Sequence, residues 1–192
     1  MNKRERLDEI RKRLIVEGRD EEEGWEIDPN ILDTLVCLNA LGFRTIISSC
    51  EGHQPTSEDD FQPNAGPYID LGSQLDEEDN LSDEEMEERV KRFEKGELTE
   101  EDIALSEKQA QYVRRDQRRL LELLEQFYKN RVVTEKIRLI VSPLHLDRNS
   151  YTLSSQGAWA EYSAEERVAF LHESQAELAD FTRLLWQKYF SD

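Results

Sequence analysis

Histidine and cysteine are the scarcest chemistry-bearing residues here, with three and two copies in 192 residues. Two cysteines cannot make the disulfide framework of a small secreted domain, so both thiols are expected to be reduced. No window approaches the roughly 18 consecutive apolar residues of a membrane span. The opening MNKRERLDEIRKRL has no apolar signal-peptide centre, so a cytoplasmic protein without a membrane partner is expected. Positive charge is also short: 25 Lys and Arg stand against 43 Asp and Glu, a net charge of −18. Such a surface repels phosphate, which argues against nucleic acid as a partner. The one basic run, Arg114, Arg115, Arg118 and Arg119, reads as the wet side of an amphipathic helix. There is no internal repeat, no Asp-x-Asp-x-Asp-Gly calcium loop, and no second Cys-x-x-His or Cys-x-x-Cys pair.

Against these absences stand readable helix and strand signals. Leu7, Ile10 and Leu14 share one face of a helix over 3–16, and the acidic run 20–24 after it reads as an exposed loop. Asp28 is placed as an N-cap and Pro29 as the first helical residue, with Ile31, Leu35 and Leu38 recurring helically and Gly42 suited to a left-handed stop. Phe43–Ser49 is β-branched and strand-like, 54–66 is a loop containing Pro55 and Pro63, and Pro67–Gly72 reads as a second strand. Between 74 and 104 there are 14 acidic and four basic residues, yet Ser82 with Glu85 forms a capping box and Thr99 can cap a further helix. This segment is expected to be a solvated acidic helical insertion. Helix returns over 106–130 on a face of Val113, Gln117, Leu120, Leu124 and Phe127. Strands are expected at 137–141 and 151–154. Ser163 with Glu166 opens a last helix to Tyr189, whose stripe through Leu171, Leu178 and Leu185 suits a core or a homo-oligomer face. The whole reads as a single α/β (α+β) domain: a small mixed sheet of three or four strands packed with helices, too few for a dinucleotide-binding array.

The candidate chemistry lies in Cys50-Glu51-Gly52-His53, directly after the first strand. A Cys and a His three positions apart can converge on one point if the chain turns at Gly52. Thiolate and imidazole are good zinc ligands, and Cys50, His53 and His145 are the candidate metal set. Asp70, in the second strand, and Glu51 can add to it, Asp70 and His145 approaching if the second and third strands flank the first. Alternatively, Cys50 acts as a nucleophile, its thiol pKa lowered by a helix N-terminus or by protonated His53. In that arrangement His53 or His145 is the base, Glu51 a further acid or base, and Asp70 or Asp147 an orienting group. Ser48, Ser49 and Gly52 can hydrogen-bond a ligand, or Ser48 and Ser49 can simply finish the strand. Cys37 on an apolar helix reads as core packing, His172 as surface, and Trp25, Trp159 and Trp186 as packing.

Leu38-Asn39-Ala40-Leu41-Gly42-Phe43-Arg44-Thr45, running to Ser49-Cys50-Glu51-Gly52-His53 and then Pro67-Tyr68-Ile69-Asp70-Leu71, resembles a pattern in small bacterial and phage α/β proteins. There a helix ends in an Asn- and Gly-containing turn and runs into Ser-Cys-x-Gly-His, a loop and a second strand. The Ser-Ser-Cys segment is also faintly similar to the wybutosine-synthesis methyltransferase family, which carries other residues where Glu51 and His53 stand. The resemblance implies the helix–strand–loop–strand unit and no activity. The expected function is therefore a Cys/His ligand, metal or catalytic site for a small polar ligand, with 54–66 as its lid. The rival expectation is a non-enzymatic interaction protein whose 74–104 segment binds a basic partner.

Overall fold

The computed structural model of the chain describes residues 1–18, 27–45, 49–52, 66–72, 81–143 and 150–191. Its helices start where their capping chemistry places them. α1 (Lys3–Glu17) opens on a capping box between Asn2 and Glu5 and buries Leu7, Ile10 and Leu14. α2 (Pro29–Ala40) begins with proline and is followed by Gly42 at φ +84°, the left-handed stop. Cys37 lies on its buried side and is core, its thiol pushed up to about 12 by burial.

α3 (Asp83–Lys95) is bounded by the Ser82–Glu85 capping box and left-handed Gly96. α4 (Glu100–Tyr128) starts at the Thr99–Asp102 box, so the short helix expected after Thr99 and the helix expected over 106–130 are one 29-residue element. Nothing between Ala104 and Gln109 breaks it, since neither Gly nor Pro occurs there. α5 (Ala164–Ser191) follows the Ser163–Glu166 box.

Four strands form one sheet: β1 (Arg44–Thr45), β2 (Tyr68–Gly72), β3 (Leu139–Pro143) and β4 (Ser150–Ser155). The order is β1-β2-β4-β3 and every pairing is antiparallel. A small sheet packed with helices is thus the architecture observed. One sheet face carries Ile69, Leu71, Leu139, Tyr151 and Leu153, all buried with α2, α4 and α5 in a single apolar cluster. α2 and α5 pack closely on each other, and the Thr34 and Thr182 hydroxyls, 2.7 Å apart, link them inside it. Leu171, Leu178, Leu185 and Tyr189 of the α5 stripe are buried in the protein's own fold, whereas Ala164 and Val168 at its start are exposed and half-buried.

Of the arginine run, Arg114 and Arg118 are exposed as expected, and Arg115 and Arg119 reach back to the fold. Arg119 lies over the Phe43 ring, donates to the Leu41 carbonyl (2.6 Å) and joins Arg115 in pairing with buried Asp116. Among the described residues no helix is long and apolar enough to cross a membrane.

Candidate functional site

Cys50 sits at the sheet edge, exchanging both backbone hydrogen bonds with Tyr68 (3.0 and 2.9 Å). Thr45 pairs with Leu71, so between the two pairings one chain passes four residues and β2 only two. Ser49 bridges the offset: its hydroxyl accepts the Asp70 N–H (3.0 Å) in place of a ladder carbonyl.

After Cys50 the chain turns sharply. The Gly52 N–H donates back to the Cys50 sulfur (3.2 Å), and Gly52 holds φ +78°. A Cβ at Gly52 would stand 2.7 Å from Leu171 Cδ1 and 2.9 Å from the Gly66 carbonyl carbon. Conformation and space both demand glycine here. Gly66 is equally confined, with a Cβ position 2.9 Å from Phe170 and from Ser174. The two glycines that bracket 53–65 therefore meet backbone to backbone against α5. Gln175 of α5 donates to the Glu51 carbonyl (3.0 Å) and pins the turn from the same side.

The N-terminus of α2 forms the other wall, with an exchange of caps that the sequence does not announce. Asp28 makes no side-chain cap bond to its own helix. Its carboxylate instead accepts the Glu51 N–H (3.0 Å) and lies close enough to Cys50 to raise its thiol pKa. The Glu51 carboxylate crosses back and accepts the Asn30 N–H (3.2 Å), supplying the acceptor that α2 lacks. Glu51 is thus engaged as a cap, and Asp28 stands close to Cys50.

These neighbours decide the state of the thiol. Burial first, then the Asp28 and Glu51 carboxylates, push Cys50 up to about 11, against the Gly52 N–H, which favours the thiolate. The expected lowering of this pKa is corrected: α2 does present its N-terminus to the turn, but two carboxylates sit on its positive end. At neutral pH Cys50 is a thiol and a weak nucleophile.

A polar floor extends from Cys50 across the sheet. Opposite the apolar face, β2 and β4 alternate Tyr68 and Asp70 with Ser150, Thr152 and Ser154, and the last four residues are buried. Thr152 donates to Asp70 Oδ1 (2.7 Å). The Tyr68 hydroxyl is pushed up to about 12, by burial first and then by Cys50, Asp70 and Asp28, which all lie near it. Among the described residues the Ser150 and Ser154 hydroxyls have no hydrogen-bond partner. Burying an unpaired hydroxyl costs on the order of 1–3 kcal/mol, so a strand of alternating buried hydroxyls is a poor choice for packing alone.

The sheet order separates the expected site residues. Cys50, Tyr68 and Ser154 stand in register at one end, whereas Pro143 pairs with Tyr151, which pairs with Leu71 at the other. With strands about 4.8 Å apart and a rise of about 3.4 Å per residue, Pro143 lies on the order of 17 Å from Cys50. The condition that the second and third strands both flank the first is not met: β1 and β3 are opposite edges, and β3 runs away from Cys50 toward its end at Pro143. His53, His145, Ser48 and Asp147, with most of the expected lid, lie outside the described residues. Among the described residues no three His, Cys, Asp or Glu side chains converge as a metal set. Cys50, Ser49, Gly52 and Asp70 are brought into one corner, His172 is exposed on α5, and Trp159 is exposed after β4.

Sequence reasoning missed Asp28, read only as a cap, and the hydroxyls of β4. The available signal was SYTLSS itself, where small hydroxyl residues alternate with Tyr and Leu. No family model, no curated protein and no solved structure matches this chain.

Proposed function

We propose that the Cys50–His53 turn is a binding site for a zinc-like divalent cation, with Cys50, Asp28 and His53 as its protein ligands. The observation that carries it is the Asp28 carboxylate, which caps no N–H of its own helix and instead accepts the N–H of Glu51, the residue after Cys50. Sulfur, carboxylate and imidazole are all zinc donors. Anionic neighbours penalise a bare thiolate, whereas a dication reverses that penalty and deprotonates the thiol. The Gly52 N–H then supports the sulfur charge. The half-buried Tyr68, paired with Cys50, offers its hydroxyl to a small polar ligand held at the open coordination position.

The test is equilibrium dialysis of chelator-treated protein against zinc. One ion per chain is expected, with affinity reduced at least ~tenfold in Cys50→Ser, Asp28→Asn and His53→Gln, the scale of losing one ligand. Equal zinc uptake by the protein and Cys50→Ser would assign any binding to the acidic surface and end the proposal.

A further inference from the structure

α3 satisfies every local rule for a helix, and none of its described side chains is buried. It has a capping box at one end, a left-handed glycine at the other, and i,i+4 ion pairs Glu87–Lys91 and Glu88–Arg92. A free helix of 13 residues is marginal in water, so something must hold it. That is a polar clasp to α4. Both Arg92 Nε and Nη2 donate to the Asp102 carboxylate at 2.8 Å, and Arg89 donates to the Asp102 carbonyl (3.1 Å) and to Ser106. The Asp102 side chain is only 6% exposed, so this bidentate pair is shielded and rigid.

The clasp fixes which way α3 faces. Arg89 and Arg92 point to α4, and Met86, Val90 and Phe93, at i, i+4 and i+7, form a stripe left in solvent. Their exposures are 43, 49 and 69%. Three large apolar side chains on one helical face, on an element that adds nothing to the core, are the pattern of a docking ridge. The flank away from α4 carries exposed Glu87 and Glu94, with Lys91, paired to Glu87, between them.

We infer that this ridge is the docking surface for a basic amphipathic helix of a partner protein. Its apolar residues would cover Met86, Val90 and Phe93, and its Lys or Arg residues would meet the glutamates. Charge selects that occupant. A second copy would bring acidic flank against acidic flank, and an anionic membrane surface would be repelled. The ridge is independent of the Cys50 corner.

The experiment measures, by fluorescence anisotropy, binding of the full chain to a synthetic helical peptide of leucine and lysine in amphipathic spacing. A scrambled peptide of the same composition is the control. The amphipathic peptide is expected to bind at least ~tenfold more tightly than the scrambled one, with Phe93→Ser removing that difference, as loss of a central aromatic anchor does. Glu87→Lys with Glu94→Lys should weaken binding and flatten its salt dependence. Because Phe93 is exposed, the Phe93→Ser chain should keep its circular dichroism and melting temperature. Equal binding of both peptides, or unchanged binding by Phe93→Ser, would overturn the inference. So would sedimentation showing a dimer of the free chain that Phe93→Ser abolishes, or neutral phosphatidylcholine vesicles competing the peptide off.

Discussion

The Cys50 corner and the α3 arm invert the usual patterning in opposite senses. At the corner, Asp70, Ser150, Thr152 and Ser154 are buried on a sheet face where apolar residues would pack better. On the arm, Met86, Val90 and Phe93 are left in water on a helix whose best-shielded contact is an ion pair. The rest of the fold is organised on one continuous apolar cluster linking α1, α2, α4, α5 and the sheet. At both places several departures share one face of one element or sheet, which marks them as shaped by something besides folding. They also differ in how they are held. Tight glycine packing holds the corner, and two arginines on one carboxylate hold the arm.

That contrast sets the size of the expected effects. Gly52→Ala should be the most damaging change, because it meets Leu171 and Gly66 below contact distance and needs a positive φ. A loss of about 2–4 kcal/mol is expected in urea unfolding followed by tryptophan fluorescence. A loss under half of that would show the corner to be looser than described.

Asp102→Ala should spare the global unfolding midpoint and release only the arm. Hydrogen exchange would then show 83–95 losing its protection while α2 and β4 keep theirs; joint loss would mean the arm is part of the core's cooperative unit. Acid should mimic this substitution. The Arg92 guanidinium, then the Thr99 N–H, hold the Asp102 carboxyl well below the usual carboxylate range. A group depressed in the folded state contributes its stability above its unfolded pKa, and that contribution fades as pH falls below about 4. Protection of 83–95 should decline in that window before the core responds.

The smallest effect is chemical. In chelator-treated protein, iodoacetamide labelling of Cys50 should keep accelerating past pH 9 toward a midpoint near 11, following the raised thiol pKa. A plateau by pH 8 would show an activated thiolate and revive nucleophilic catalysis.

Much of this was legible in the sequence for a physical reason. Ser82–Glu85, Thr99, Ser163–Glu166 and Gly42 act within one turn of themselves, so helix starts and stops are written locally. The solvated character of α3 followed from its composition. Sheet order was not legible, because strand pairing is decided by long-range burial: nothing near Ile140 says that β3 joins the edge opposite β1. The Cys50–Gly52 turn was readable from its glycine, but Asp28 was not. A carboxylate before Pro29 looks like a cap, and only the approach of Glu51, 23 residues later, diverts it to the Glu51 N–H beside Cys50. For the same reason the thiol pKa was expected to move the wrong way: the helix N-terminus was anticipated and its two carboxylates were not.

The most direct test of the corner is the absorption spectrum of chelator-treated protein titrated with cobalt(II), a spectroscopic stand-in for zinc. Binding through Cys50 should produce a near-ultraviolet sulfur-to-cobalt charge-transfer band that saturates at one equivalent and is absent in Cys50→Ser. A titration that leaves the spectrum without that band would contradict a metal site at Cys50 and return the cysteine to a packing role.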